Sequence, residues 1–378
     1  MSNNPDTSTV TPVMSSSESS SISPSENNSQ KKSLLKISLL ILLAIVISVF
    51  ATYSYLSNSG SVNKVQTSTA KKMCEGVNIT FFPGGNVEDS FASVVYKGAK
   101  QAESDLGANV TYAFSGWDPD KMVSQFIDAI GSKPDGIAIM GHPGTDALRP
   151  FVDEAERKNI KVTMQNVDLP EIREKYISEG FGYVGQSLYD SGLSVGNAVI
   201  RKYQPTADTE AIVFGVDPIT NPTRYERTKG AIDALKKGNL MVHELTMSTE
   251  VQDNANSPAG EKLFTDALAQ FPNVKYIITD HGALTSAAPI FLNKLGKAAG
   301  DIIVAGFDMS DATIAGIKNG YIGLVLDQQP YLQGYLPILQ LCLTKKYSFA
   351  GLYIDTGVGL IDSSNVDLVS ELVKQKIR

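Results

Sequence analysis

The sequence predicts an α/β protein of two similar lobes, each a parallel sheet covered by helices, joined by a multi-strand hinge and preceded by one transmembrane helix. Three observations predict it. From residue 77 onward, short apolar or β-branched runs alternate with helical stretches almost without a break. The alternation runs twice, over 77–165 and again over 211–307. Ahead of it, behind a polar leader, lies an apolar run at 37–56. Repeated βα units with short connections mean parallel sheets with right-handed crossovers.

Residues 1–33 are mostly Ser, Asn, Thr and Pro, which bury too little apolar surface to fold, so they are expected to form a disordered tail. The run ISLLILLAIVISVFATYSYL follows at 37–56. At ~1.5 Å per residue a helix of this length spans ~30 Å, the thickness of a bilayer core. Tyr53 and Tyr55 fall where an interfacial aromatic belt would lie, and Lys31, Lys32 and Lys36 favour an inside N-terminus. The competing reading is a cleaved signal peptide. A clear A-x-A site does not follow, and Cys74 lies too far past the run to be a lipidated cysteine, so an uncleaved signal anchor over 34–56 is preferred. Residues 57–75 then form a flexible stalk.

Strands are predicted at 77–82, 109–114, 136–140, 161–165, 211–215, 241–245, 274–279, 302–307 and 322–326, each short and apolar as in a sheet covered on both faces. Helices are predicted over 89–106, 145–158, 186–202, 221–237, 258–271, 283–295 and 310–318. The first carries Phe91, Val94, Val95, Gly98, Ala99 and Ala102 on one face and stops at Gly107. Between the two passes, Gly182-Tyr183-Val184-Gly185-Gln186 reads as a short strand leaving one lobe and opening a helix of the next. The stretch 324–330 crosses back, and 357–361 is a candidate third crossing. The expected lobes are therefore 76–183 with 328–357, and 184–327 with 358–378.

The net charge of −7, without a long basic run outside the juxtamembrane region, argues against nucleic acid as a partner. Cys74 and Cys342 have no metal-ligand spacing and read as two buried or spare thiols. One bridge between them is the alternative if the domain is extracellular. His142, His243 and His281 form no metal pattern; His142 and His281 follow strands and belong either in a cleft or in loops. Neither a G-x-x-x-x-G-K-[ST] loop nor a strand-terminal G-x-G-x-x-G is present, and no defensible Ser/His/Asp or Cys/His arrangement appears, so neither a cofactor nor an enzyme is expected. Trp117, in Ser115-Gly116-Trp117-Asp118-Pro119, either edges the cleft or covers the start of the next helix.

The richest stretch is 302–334, where two parallel-type strands end in Asp308 and in Asp327-Gln328-Gln329. Ligands of open α/β sheets bind at that edge. A carboxylate accepts hydrogen bonds and a carboxamide both donates and accepts, which suits the gripping of hydroxyls.

With these residues the chain resembles the type I periplasmic sugar-binding proteins, the ribose-, galactose- and xylose-binding components of ABC importers. The resemblance covers about residues 76–361. It is carried by Ser90-Phe91, Lys97-Gly98-Ala99, Leu106-Gly107, Pro134-Asp135-Gly136-Ile137, Tyr183-Val184-Gly185-Gln186 with Gly192, Gly306-Phe307-Asp308, and Asn319-Gly320 with Asp327-Gln328 and Gly334. It implies two Rossmann-like lobes closing on one small ligand. It also implies roles: Phe91 stacks on a sugar ring, and Asn166 stands where the family often has an Asp-Arg pair, with Val167 replacing the arginine. His142 replaces a polar residue after the third strand. Arg224, or Tyr225 by strict spacing to Gly230, opens the helix of the second lobe, while Arg227 reads as a solvated face. Asp280 replaces an asparagine, and Asp308 and Gln328 match directly. The implied function is the substrate-binding component of an ABC importer for a small sugar or polyol. The implied partners are a carbohydrate and an ABC permease, the ectodomain being monomeric and held outside the cytoplasm by a single-pass anchor in the cell membrane. A ligand-sensing ectodomain, or one for a nucleoside or furanone signal, would use the same fold.

Overall fold

The computed structural model describes residues 43–54 and 71–378 of the chain. The 1–33 tail, most of the 57–75 stalk and the remainder of the 34–56 run lie outside the described residues. Residues 43–54 form a helix, α1. Its hydroxyls bond its own backbone: Ser48 Oγ donates to the Ile45 carbonyl at 2.9 Å and Thr52 Oγ1 to that of Ser48 at 2.5 Å. Polar side chains in an apolar helix are satisfied in this way. Among the described residues, no helix is long and apolar enough to cross a membrane.

Residues 71–378 form one compact unit. Its first sheet is ordered β11-β5-β4-β3-β1-β2, from β1 (Asn78–Gly84), β2 (Asn109–Phe114), β3 (Gly136–Met140), β4 (Lys161–Asn166), β5 (Gly182–Gly185) and β11 (Tyr353–Asp355). The second is ordered β12-β10-β9-β8-β6-β7, from β6 (Glu210–Gly215), β7 (Met241–Thr246), β8 (Tyr276–Thr279), β9 (Ile303–Phe307), β10 (Ile322–Asp327) and β12 (Gly359–Asp362). The pairings are parallel, apart from the antiparallel pair β10–β12. The central strands are buried along their length, which is why they read as unbroken apolar runs.

Helices α2 (Ser90–Leu106), α3 (Pro119–Ser132), α4 (Thr145–Arg157), α5 (Pro170–Tyr176) and α12 (Pro330–Tyr347) flank the first sheet. Helices α6 (Leu188–Tyr203), α7 (Pro222–Lys237), α8 (Thr249–Asp253), α9 (Pro258–Gln270), α10 (Gly282–Lys294), α11 (Asp311–Lys318) and α13 (Val366–Lys374) flank the second. Each lobe has one helix pair in backbone contact. A Cβ on Gly98 of α2 would stand 2.0 Å from the Tyr331 carbonyl oxygen of α12, and one on Gly334 would stand 1.9 Å from that of Val95. In the other lobe Gly192 of α6 and Gly230 of α7 do the same, 1.9 Å from the Arg227 oxygen and 2.1 Å from the Tyr189 oxygen.

The cysteine reading is corrected. Cys74 and Cys342 form a disulfide with Cα atoms 5.5 Å apart, tying the entry to β1 onto α12. The spacing in sequence, 268 residues, hides a pairing that exists only once α12 returns to the first sheet. Closing so long a loop constrains the unfolded chain and adds about 2–5 kcal/mol of stability. Some strand boundaries also move by a residue or two: β8 begins at Tyr276, with Val274 and Lys275 in the loop before it, and β1 runs on to Gly84.

The chain passes between the sheets three times: at Gln186-Ser187 after β5, at Gln328-Gln329 after β10, and at 356–358 between β11 and β12. These crossings bond one another. Thr356 N donates to the Gly185 carbonyl at 2.9 Å, and Asp355 Oδ1 accepts from Gly357 N at 2.7 Å and Ser187 N at 3.3 Å.

Candidate functional site

The C-terminal ends of the strands in both sheets deliver polar side chains to the space between the lobes, and the backbone there is unusual. Trp117, Asn166, Asp308 and Gln329 have φ values of 65°, 60°, 70° and 55°. Left-handed conformations outside glycine are uncommon, tolerated best by Asn and Asp, and cluster at functional sites. Each of these residues ends a strand or opens the turn behind one, so the turn aims its side chain off the sheet edge.

On the first lobe the wall is aromatic. Asp89 caps α2, its Oδ1 accepting from Phe91 N at 2.9 Å and Ala92 N at 2.8 Å. Its other oxygen accepts from Trp117 Nε1 at 2.9 Å. One carboxylate thus fixes both Phe91 and Trp117, whose ring centres lie 6.1 Å apart, and Trp117 stands 5.3 Å from the His142 ring. Trp117 therefore lies over the start of α2, beside His142, rather than over the helix that follows it in sequence.

On the second lobe the wall is charged. Asp280 is 2% exposed and is the hub. Arg227 donates to its Oδ1 from Nε at 3.1 Å and from Nη2 at 2.7 Å, and Nη2 also donates to the Asp280 backbone carbonyl at 2.6 Å. Thr228 Oγ1 donates to Oδ2 at 2.6 Å, and Arg224 Nη2 reaches Oδ1 at 3.4 Å. His281 Nδ1 lies 3.3 Å from the same oxygen. Burial alone would raise the Asp280 pKa, but Arg227, His281 and Arg224 together outweigh it and hold it well below 3.8. Arg227 is corrected from a solvated face to a fully buried side chain, its guanidinium 4.3 Å from the Phe307 ring centre. Arg224 and Arg227 are three residues apart on α7 and so share its inner face. Tyr225 lies on another face, beside Glu244 of β7, where burial and then that carboxylate raise its pKa to about 12; this corrects its expected place in the cleft.

The floor is built of carboxamides. Gln328, 3% exposed, donates from Nε2 to Asp308 Oδ1 at 2.6 Å. Its Oε1 accepts from Gln186 Nε2 at 2.5 Å and from Asn166 Nδ2 at 3.5 Å. Asn166 Nδ2 also donates to Gln333 Oε1 at 3.0 Å, and Gln333 Nε2 returns a bond to the Gln328 carbonyl at 3.0 Å. The structure thus joins Asn166, Asp308 and Gln328 in one network, brings Phe91, Trp117 and His142 together on one wall, and sets Arg224 and Asp280 on the other. Gln186, Gln333, Arg227 and Asp89 were not among the site residues drawn from sequence. A sequence signal existed for Arg227 in its spacing from Arg224. Gln333 had none, since its role depends on two crossings meeting.

The walls touch: Arg224 Nη1 lies 3.5 Å from His142 Nε2. An arginine only donates, so the imidazole accepts there and is neutral. Burial, then Arg224 and His281, push the His142 pKa down to about 3; burial, opposed by Asp280 and reinforced by Arg224, takes His281 down to about 4. Burial pushes Asp308 up to about 6 against the pull of Arg227 and Gln328. Arg224 is pushed down to about 10, by burial and then by Arg227. Several buried polar atoms of the walls and floor have no protein partner: His142 Nδ1, Arg224 Nε, Arg227 Nη1 and Gln186 Oε1. Among the described residues, no cluster of His, Cys, Asp and Glu is arranged to hold a metal.

Comparison with known proteins agrees with this architecture. The periplasmic binding protein domain family matches residues 79–343. A xylose/arabinose-binding protein of Sulfolobus acidocaldarius is 29% identical over 265 residues, which are 66% of this chain and 62% of that protein. The chain therefore spans under two thirds of the length of the curated relative it matches. A carbohydrate transporter of Acidothermus cellulolyticus 11B, solved in complex with myo-inositol, superposes with a TM-score of 0.68 at 22% identity, covering 80% of this chain and 99% of that one. An ABC transporter solute-binding protein of Burkholderia graminis C4D1M, solved with D-arabinose, gives 0.67 at 24% identity, covering 77% and 97%. With a two-sheet fold that these structures share and a family match over most of the folded unit, the chain belongs to the periplasmic binding protein domain family.

Proposed function

We propose that this protein is the substrate-binding component of an ABC importer and captures one small sugar or related polyol between its lobes. One observation carries the reading: an aromatic wall faces a wall of paired charges across a carboxamide floor. The apolar C–H face of a sugar suits Phe91 and Trp117. Its hydroxyls, which both donate and accept, suit Asp308, Asn166, Arg224 and the unpartnered Gln186 Oε1. The related proteins from Sulfolobus acidocaldarius and Burkholderia graminis, whose names or bound ligands are pentoses, support the same class.

Ligand capture would stabilise the arrangement in which the walls meet, with the crossings as hinge. The apolar 37–56 run supports anchoring at the cell membrane with the lobes outside the cytoplasm. The Cys74–Cys342 disulfide supports the same side, since such bonds persist in oxidising compartments. Tethering would raise the local concentration of the loaded protein at its permease.

Asp308→Asn tests the site. Asp308 sits beside Gln328 at the meeting of wall and floor and offers charged acceptor oxygens, whose bonds are stronger than neutral ones. The substitution is expected to weaken sugar binding by about a hundredfold, read by calorimetric titration with pentoses, hexoses and polyols. A deoxy analogue lacking the hydroxyl that Asp308 grips should lose little further affinity in the variant. Equal affinity of wild type and variant for every sugar bound would remove Asp308 from the site.

A further inference from the structure

The segment after α13 touches both lobes at the hinge, away from the aromatic and charged walls. Helix α13 belongs to the second lobe, where Val366 and Val369 pack with Ile314 and Ile317 of α11. Lys376 turns the backbone through a φ of 52°, and Ile377 N closes the turn on the Leu372 carbonyl at 2.9 Å. Arg378 is thereby brought to the second crossing. Its Nε lies 2.8 Å from Oδ2 of Asp327, a side chain with 0% exposure. Its Nη1 donates to Gln329 Oε1 at 3.2 Å. Gln329 continues the chain of bonds: its N donates to Asp327 Oδ1 at 2.8 Å, and its Nε2 donates to the Thr356 carbonyl of the third crossing at 2.9 Å. From the first lobe, Lys97 Nζ of α2 donates to the Gln375 carbonyl.

We propose that Arg378 is a positioning residue for lobe closure: through Asp327 and Gln329 it pins the second and third crossings at a fixed spacing, and so sets how far the hinge favours the arrangement in which the cleft walls meet. Arg378 touches no residue assigned to the cleft walls, so its effect on a ligand is indirect. Two of these contacts, Lys97 with Gln375 and Gln329 with Thr356, join the lobes or two of their crossings, segments that a rotation of the lobes would shift against each other. Bonds made in one arrangement and broken in the other favour only the first. Asp327 sharpens the effect, because a fully buried carboxylate that loses its one guanidinium partner is strongly disfavoured. The effect on sugar affinity rests on the function proposed above; the effect on the hinge does not.

The experiment separates the two. Cysteines for spin labels are placed at the exposed Val87 and Ile219, in the loops after β1 and β6, and the interlobe distance is measured without ligand in the full chain. Arg378→Ala is expected to shift the distance distribution toward longer separations and to weaken sugar binding by about tenfold. Arg378→Lys, which keeps the charge and loses the second donor, should fall between variant and wild type. Should Arg378→Ala fail to fold, Gln329→Ala breaks the bridge to Thr356 while leaving Asp327 paired, and a shift in the same direction is expected. A lowered melting temperature with an unchanged distance distribution in these variants would overturn the proposal. Should the wild type bind no sugar, the distance arm still decides the hinge role.

Discussion

Arg227→Ala is expected to cost about 3–5 kcal/mol of folding stability, more than any other single change at the cleft. Arg227 and Asp280 are both at most 2% exposed, and two guanidinium nitrogens are spent on the carboxylate and its backbone carbonyl. Removing the arginine leaves a buried carboxylate with Thr228 and the longer contacts to Arg224 and His281. Replacing both partners together, as Arg227→Met with Asp280→Leu, should recover much of the loss, because the penalty is that of an unpaired buried charge. Arg224→Ala serves as contrast: that side chain is 17% exposed and only grazes Asp280, so its loss should cost less stability and more ligand affinity. Urea unfolding reads all three. A cost below about 1 kcal/mol for Arg227→Ala would mean that the pair does not organise the second wall.

The second large effect is with pH. The His142 pKa falls from its ordinary 6.5 to about 3 in the folded protein. The native state then refuses a proton that the unfolded chain accepts. Its contribution is complete above pH 6.5 and is lost as pH drops from there toward 3. Asp308, raised to about 6, and Glu156, raised to about 7, run the other way: their ionised forms are penalised, and the native state gains as pH falls through those values. The total curve mixes these signs, so the informative quantity is the difference between wild type and His142→Gln. Glutamine still accepts from Arg224 and does not titrate. Between pH 7 and pH 5 the variant is expected to gain about 2 kcal/mol on the wild type. Burial disfavours a charged imidazole there first of all, and Arg224, His281 and Arg227 around it add to that. A constant difference between the two proteins across that range would show that His142 is not held neutral between the walls.

Much of this architecture was legible because its constraints are local. Each buried parallel strand is a short apolar run, and a helix such as α2 shows its face through Val94, Val95, Ala99 and Ala102. Gly98, Gly192 and Gly334 drew attention as parts of sequence patterns, and the structure supplies the cause: backbones meet there and leave no room for a Cβ. Helix α3, outside the helices predicted above, carries its own signal in Asp118-Pro119: Asp118 accepts from Asp120 N at 2.9 Å and from Lys121 N at 3.1 Å. What stayed hidden depends on segments far apart in sequence. The Cys74–Cys342 bond and the Gln333–Asn166 contact exist only after the second crossing has returned α12 to the first sheet, and the burial of Arg227 depends on Asp280, 53 residues further along the same lobe. Tyr225 shows the cost of spacing alone: one position along α7 rotates a side chain off the cleft and onto β7.

Trp117 is the chain's one tryptophan and stands in the aromatic wall, so its fluorescence reports the cleft directly. Titrating the protein with D-arabinose, D-xylose and myo-inositol is the most direct test of sugar capture. A saturable change in Trp117 emission with one-site stoichiometry is predicted for at least one of them at sub-millimolar concentration. An unchanged emission and an unchanged melting temperature with every pentose, hexose and polyol at millimolar concentration would contradict the account.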